Sequence, residues 1–216
     1  MKVKPYFKEM TEKIFSLKDY DNQNFKLRLY PIKLNDLSFA DFTNPITKET
    51  KPVLGWCKDC GKSSICGRCP SKLNNYNKNR RKKIFNFKQG ILLQIKVPAK
   101  LLAGQKALDE NNPAKTQRLI NTCLKIIEDI LRKKGATDFY KLAAGPCKLA
   151  YCQDEECTIL QGLPCRHLEA NDILECTGIN VFQTLINLGA EIYYIDKNTP
   201  AKNIPFGSRI GLILFK

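Results

Sequence analysis

Apolar residues recur along the chain at two spacings, and each spacing predicts one kind of element. The clearest helical stripe places its apolar residues three or four positions apart, at Leu119, Ile120, Cys123, Ile126, Ile127, Ile130 and Leu131. Pro113 suits the first turn of such a helix, and Gly135 suits the position just after its last turn. We therefore predict a helix over residues 113–134.

Alternating or continuous apolar runs predict the strands. Phe25, Leu27 and Leu29 alternate with polar residues, as in a half-buried strand. Further strands are predicted at residues 90–97, 138–143, 191–195 and 209–215. Short amphipathic helices are predicted at residues 6–17 and at about 180–188.

The order of these elements predicts an α/β fold, with α+β as the alternative. From residue 90 onward the chain reads strand, helix, strand, cysteine-rich loop, helix, strand, strand. This order indicates a layered sheet with helices and two cysteine-rich metal-binding loops. Residues 1–55 are expected to form an N-terminal segment that packs on the core, and residues 56–216 a cysteine-rich α/β metal-binding domain.

Ten cysteines and a formal charge of +15 set this chain of 216 residues apart from an ordinary domain. Disulfide-rich domains are usually short and exported, whereas residues 1–15 lack the apolar run of an export signal. No apolar run is long enough to cross a membrane. We therefore expect a cytoplasmic protein in a reducing compartment, with thiolates that bind metal.

Eight cysteines fall into two groups of four, and all eight are candidate metal and cofactor ligands. The first group is Cys57, Cys60, Cys66 and Cys69, and the second is Cys147, Cys152, Cys157 and Cys165. Soft thiolates select zinc, copper(I) or iron–sulfur clusters. Core packing does not explain cysteines placed among Lys, Asp, Gly and Gln.

Two features favour one or two [4Fe–4S] clusters over zinc. Pro70 follows Cys69 as in ferredoxin ligand runs, and the second group lacks the paired short knuckles of a zinc ribbon. Zinc remains the alternative, and unliganded thiols or disulfides are a third possibility. Cys123 and Cys176 suit buried apolar positions, although Cys176 could also be a spare ligand. His167 is either a ligand, a proton-transfer group or a hydrogen-bonding neighbour.

One stretch of the chain resembles a known family. Its marks are Ala144-Gly145-Pro146-Cys147, then Gly162-Leu163-Pro164-Cys165-Arg166-His167, then Glu175 and Gly178-Ile179-Asn180-Val181-Phe182. They resemble small cysteine-rich predicted metal-binding proteins of unknown function from anaerobic bacteria and methanogenic archaea. The resemblance covers about residues 55–195. It implies metal binding, as iron–sulfur, in an anaerobic cytoplasm, and it implies no reaction.

This sequence departs from the family pattern at several positions. Family members space the second cysteine group more tightly, and they carry Arg-Pro-Ser or similar where this chain has Asn171-Asp172-Ile173. Cys66 and Cys176 look like additions. These differences bear on the ligand set rather than on the presence of a metal.

Three functions follow from a metal centre in a basic protein. The first is electron transfer with an acidic partner such as a ferredoxin, attracted by Lys58, Lys62, Arg68, Lys148 and Arg166. The second is an iron–sulfur enzyme of sulfur transfer or desulfidation, which could act on RNA. The third is zinc-dependent association with nucleic acid, through the basic run Lys78, Arg80, Arg81, Lys82 and Lys83 and the rings of Tyr76, Phe85 and Phe87. The sequence identifies no catalytic residue.

Overall fold

The protein was analysed as a computed structural model that describes residues 12–16, 24–59, 65–69, 74–104, 107, 112–195 and 199–216. Its strands are β1 (Glu12–Ser16), β2 (Asn24–Lys33), β3 (Phe42–Thr43), β4 (Thr50–Lys51), β5 (Gln89–Pro98), β6 (Tyr140–Ala143), β7 (Asp172–Ile173) and β8 (Phe206–Phe215). Its α-helices are α1 (Val53–Asp59), α2 (Asn74–Ile84), α3 (Asn112–Lys133) and α4 (Val181–Asn187).

Six of the strands form one mixed sheet in the order β1-β2-β5-β8-β6-β7. The long strands β2, β5 and β8 are antiparallel neighbours, and β6 pairs antiparallel with β8. The short strand β7 runs parallel to β6. The predicted α/β class is therefore confirmed, with β3 and β4 as a separate pair.

Both faces of the sheet are apolar, which explains why its central strands read as continuous hydrophobic runs. On one face, α3 packs Ile120, Leu124 and Ile127 against the sheet. On the other face, Leu185 of α4 belongs to a second cluster with Leu212 of β8.

Most of the predicted elements are confirmed, including the helix over residues 113–134 and the strands over 90–97 and 209–215. The alternation near Phe25 is strand β2, and the helix near residue 180 is α4, whose Asn180 side chain caps its first turn. Within 138–143, strand β6 begins at Tyr140.

Two predicted elements are wrong. Residues 12–16 of the predicted helix 6–17 form β1, because they pair in register with β2; the other residues of that helix lie outside the described ranges. Residues 191–195 form no strand. They are held by side chains instead: Lys96 binds the Glu191 carboxylate at 2.6 Å, and the ring of Tyr193 packs edge-on against Phe206. Such contacts override the strand propensity of Ile and Tyr.

In the part of the chain that the structure describes, no helix has the length and apolarity needed to cross a membrane.

The carboxyl ends of the parallel strands β6 and β7 position the cysteine-rich loops. After β6 the chain turns at Gly145, whose φ of +90° favours glycine. The Gly145 N–H donates to Glu175 Oε2 at 3.2 Å, which ties this turn to the residues after β7. The loop after β6 and the residues after β7 therefore leave the sheet side by side.

Candidate metal centre

Four segments bring cysteines together beyond β6 and β7: α1, the turn at residues 65–69, the loop at 147–165 and the short 3-10 turn Glu175–Thr177. We call the set they contribute the thiol array. Its members are Cys57, Cys66, Cys69, Cys147, Cys152, Cys157, Cys165 and Cys176. Cys60, a predicted ligand, lies outside the described residues.

The first part of the array contains Cys57, Cys69 and Cys176. The Cys176 thiol hydrogen-bonds with the thiols of Cys57 and Cys69, and these contacts together with burial raise the pKa of Cys176. Cys176 is buried, at 1% exposure. The structure thus places with the first sequence group a cysteine that the sequence indicated mainly as a core residue.

The second part contains Cys147, Cys152, Cys157 and Cys165 from the loop after β6. A single π turn, Lys148–Cys152, holds the first two of these cysteines at its ends. Burial raises the pKa of Cys152, with further effects from the charges of Cys157 and Cys165. Metal binding would replace these protons, since thiolates are the ligands.

Cys66 joins the two parts. Its Sγ lies 3.6 Å from the Sγ of Cys147, across the boundary between the two sequence groups. Hydrogen bonds from Cys147 and Cys69 lower the pKa of Cys66, whereas the same bond and burial raise the pKa of Cys147. The two groups that are far apart in sequence therefore form one continuous array of sulfur atoms.

Gly67 is the tightest contact between the two cysteine loops. Its N–H donates to the Sγ of Cys157 at 3.3 Å. A Cβ at this position would lie 2.5 Å from the Cβ of Ile159, which is closer than two carbon atoms can pack. Backbone N–H groups that point at sulfur are typical of iron–sulfur sites, where they tune the reduction potential.

Two arginines, one of them beside the thiols, share the carboxylate of Asp172. Arg68 Nη1 lies 2.6 Å from Asp172 Oδ1, and Arg80 Nη2 lies 3.0 Å from the same oxygen. Tyr140 donates to the other oxygen of Asp172 at 3.0 Å. Burial lowers the pKa of Arg68, but a hydrogen bond with Cys165 and the charge of Asp172 outweigh it, so that the pKa is raised. Arg68 therefore stays charged beside the thiols.

The basic run proposed for nucleic acid is partly used inside the molecule. Arg80 is only 4% exposed and donates to the carbonyl oxygen of Arg68 at 2.7 Å. Arg81 and Lys83 lie over the rings of Phe39 and Tyr140. Phe87, one of the rings proposed to stack on bases, is buried in the core.

His167 lies against the loop thiols without a described hydrogen bond at Nε2, which is buried. Its Nδ1 is 3.5 Å from the Glu169 carboxylate, and its ring lies 5.4 Å from that of Tyr151. Its carbonyl oxygen accepts from the Cys165 thiol at 3.5 Å. Burial raises the pKa of Tyr151 to about 12, so Tyr151 stays neutral.

Cys123 is the described cysteine outside the array. It lies on the apolar stripe of α3, and burial alone raises its pKa to about 12. This environment is that of a small apolar residue, as the sequence indicated.

The donor set fits a metal–sulfur group. Eight thiols exceed the four that one tetrahedral ion uses. Among the described residues, no three Cys, His, Asp or Glu side chains are placed to hold a metal ion on their own. The 3.6 Å between Cys66 and Cys147 nevertheless suits two thiolates on one metal atom, because two bonds of about 2.3 Å at a tetrahedral angle place the sulfurs about 3.8 Å apart.

Comparison with known proteins gives the family. A family model described as "Predicted metal-binding protein (DUF2284)" matches residues 47–215. The chain belongs to this family. The matched range includes all ten cysteines and ends within β8. No curated protein and no solved structure matched the chain.

Membership in the DUF2284 family supports metal binding by this chain, and the thiol array is the candidate site for it. Sequence reasoning missed two parts of this site: the position of Cys176 beside Cys57 and Cys69, and the pairing of Asp172 with Arg68 and Arg80. The departure from the family pattern at residues 171–173 was the available signal for Asp172.

Proposed function

We propose that the protein is an iron–sulfur protein of one or two [4Fe–4S] clusters that transfers electrons to or from a partner protein. The observation that carries the proposal is the continuous thiol array, in which the contact of Cys66 with Cys147 connects two ligand-rich loops. A bound cluster would supply one-electron chemistry, and two adjoining centres would form a relay.

The chain divides its thiols between two ligand sets. Cys57 and Cys69 with Cys176 would hold one centre, to which Cys60 adds a fourth thiol by its sequence position. Cys147, Cys152, Cys157 and Cys165 would hold the other centre. Cys66, in contact with both sets, would serve either one. Ten cysteines less Cys123 leave nine thiols, which is enough for two four-thiolate centres.

Charge and hydrogen bonding around the array support a redox role. Reduction adds a negative charge, which the Arg68 guanidinium and the Gly67 N–H stabilise, so both raise the reduction potential. The low exposure of most of these thiols keeps water away from the centre. A low local dielectric makes each of these interactions stronger.

The loop that carries Cys157 and Cys165 presents exposed apolar residues on which a partner protein can dock, and the net charge of +15 on the chain favours an acidic partner. Leu163 and Leu168 are 56% and 96% exposed, and Arg166, which pairs with Glu155, lies between them in sequence. Exposed apolar residues beside basic ones are typical of transient interfaces with acidic redox partners. The partner proposed is an acidic electron carrier of the ferredoxin type.

The test is reduction of the oxygen-free protein by a reduced ferredoxin, followed as bleaching of the visible spectrum. We expect a rate that falls as salt is added, because opposite charges are screened. Arg166→Gln should slow the reaction by about threefold to tenfold. Lys133→Gln, exposed in the last turn of α3, is the matched control and should leave the rate unchanged. A rate insensitive to salt and to Arg166→Gln contradicts the proposed partner.

Zinc is the second candidate, favoured by the short distance between Cys66 and Cys147. A structural zinc ion would use that pair together with two further thiolates of the array. The protein would then be colourless, and it would hold about two zinc ions without acid-labile sulfide. The same spectrum and metal analysis therefore separate the two candidates.

A further inference from the structure

A cavity of about 450 Å³ opens beside the first part of the thiol array. One wall consists of Cys57, Cys69 and Cys176. The rest of its described lining, which includes residues of β3, α4, the segment at 191–195 and the start of β8, supplies no further cysteine. The cavity therefore extends beyond the space that a metal centre needs. Its size is that of a pocket for a small organic molecule.

Another part of the cavity lining is aromatic. The rings of Phe42, Phe182 and Tyr194 lie within 6.0 Å of one another, between centroids. Trp56 joins this group through an edge contact with Phe42 at 6.0 Å, and its Nε1 donates to the Phe42 carbonyl oxygen at 3.0 Å. Phe182 and Tyr194 line the cavity and are only half-buried, so part of each ring is accessible to a ligand. Planar rings stack on such faces in offset or edge-on geometry.

The third side of the cavity is polar. Glu175 presents its carboxylate there, held by the Gly145 N–H. Arg209 also lines the cavity; burial raises the pKa of Glu175, and the charge of Arg209 partly opposes this. Arg209 is oriented by bonds from Nε to Thr116 at 2.9 Å and from Nη2 to the Pro113 carbonyl oxygen at 3.1 Å. A carboxyl group and a guanidinium together offer hydrogen-bond acceptors and donors that a neutral polar group of a ligand can use.

We propose that this cavity binds a neutral, planar aromatic molecule that carries one hydroxyl group, with its rings against Phe182 and Tyr194 and its hydroxyl at Glu175. A hydroxyl group can donate to a carboxylate and accept from a guanidinium at once, so it matches both polar side chains. The bound molecule lies next to Cys57, Cys69 and Cys176. The proposal goes beyond metal binding and does not depend on which metal the thiols hold.

The test uses para-phenylphenol as the probe and the fluorescence of Trp56, the single tryptophan of the chain, as the signal. The protein is used as purified without oxygen. We expect saturable quenching with one probe per chain, confirmed by calorimetry. Phe182→Ala should weaken binding by at least about tenfold, because it removes a stacking surface. Phe85→Ala is the matched control, since Phe85 is exposed and lies away from the cavity.

A second variant tests the polar end. Glu175→Gln keeps the shape of the side chain, so the Gly145 contact and the melting temperature should be retained. The preference for para-phenylphenol over its methyl ether, para-methoxybiphenyl, should fall by about fivefold. Unsaturable quenching, or equal effects of Phe182→Ala and Phe85→Ala, would overturn the proposal. Iron is measured on the same samples: probe binding without iron contradicts the iron–sulfur function alone, and iron without probe binding contradicts this inference alone.

Discussion

The layer between α3 and the sheet differs from the thiol array in what its buried residues can do without a partner. Around Ile120, Leu124 and Ile213 the side chains between helix and sheet form an apolar cluster that is mostly aliphatic. Around the array the buried side chains are thiols, with Arg80 and Asp172 nearby. Removal from water alone stabilises the first region, whereas the second, under the proposed function, needs deprotonated, metal-bound sulfur and paired charges.

The comparison indicates that the chain contains two kinds of buried region, which are stabilised in different ways. Substitutions in the apolar layer should lower stability and spare metal content. Substitutions in the array or its ion pairs should lower metal content as well. The following predictions test this separation, from the largest expected effect on stability to the smallest.

Leu124→Ala should cause the largest loss of stability. Leu124 is fully buried and its Cγ approaches Gly211 of β8, so truncation leaves a cavity between helix and sheet. We expect the free energy of unfolding to fall by about 4 kcal/mol. Denaturant unfolding measures the loss, and metal per folded chain should stay unchanged. A loss of metal at full folding would show that the two regions are not separate.

Asp172→Asn should cause the second-largest loss of stability. It leaves Arg68 and Arg80 without their shared carboxylate, although the amide keeps the shape of the side chain. Removing one partner of a largely buried ion pair costs about 3 kcal/mol. Because Arg68 lies beside Cys165, metal should also be released faster to a chelator. Asp129→Asn, in an exposed ion pair with Lys125, is the matched control and should hardly change the free energy of unfolding.

Gly67→Ala should cost about 2 kcal/mol, since its Cβ would collide with Ile159 and push the two cysteine loops apart. The sharper readout is the metal site: we expect a shifted visible spectrum and weaker metal retention during dialysis. Gly55→Ala serves as the control, because a Cβ there would meet only the flexible Lys51 side chain, at 3.5 Å, and neither Gly55 nor Gly67 has a positive φ. An unchanged spectrum in Gly67→Ala would argue against a role of this contact in the centre.

Cys123→Ala should have the smallest effect, about 1 kcal/mol, because one buried sulfur is lost from the α3 stripe. Metal and sulfide per chain should equal those of the unsubstituted protein. Metal and sulfide analysis after oxygen-free purification measures both quantities. A drop in metal would place Cys123 in the ligand set, against its position in the structure.

The fold was predictable where local pattern and tertiary packing agree. The stripe of α3 predicted its extent to within a residue at each end, because one face of this helix packs on the sheet. The predictions failed where strand pairing or side-chain contacts determine the local structure. Residues 12–16 are a strand only because β2 lies beside them. Residues 191–195 are fixed by side-chain contacts of Glu191 and Tyr193 rather than by the backbone hydrogen bonds of a sheet.

The site was predictable in its residue types and less so in its arrangement. Spacing along the chain indicated which cysteines are candidate ligands, but it carries no information on contacts between distant segments. Cys176 meets Cys57 only because β7 runs parallel to β6 and ends beside α1. The contact of Cys66 with Cys147 likewise depends on the packing of Gly67 against the second loop.

The central claim is that the joined thiols hold iron and sulfide. The most direct measurement is iron, zinc and acid-labile sulfide per chain in oxygen-free protein, for the unsubstituted chain, Cys66→Ala and Cys123→Ala. The account predicts a brown protein with about four or eight irons and matching sulfide. Cys66→Ala should lose at least about half of both, and Cys123→Ala should lose none. A colourless protein with zinc and no sulfide, or equal iron in all three proteins, would contradict it.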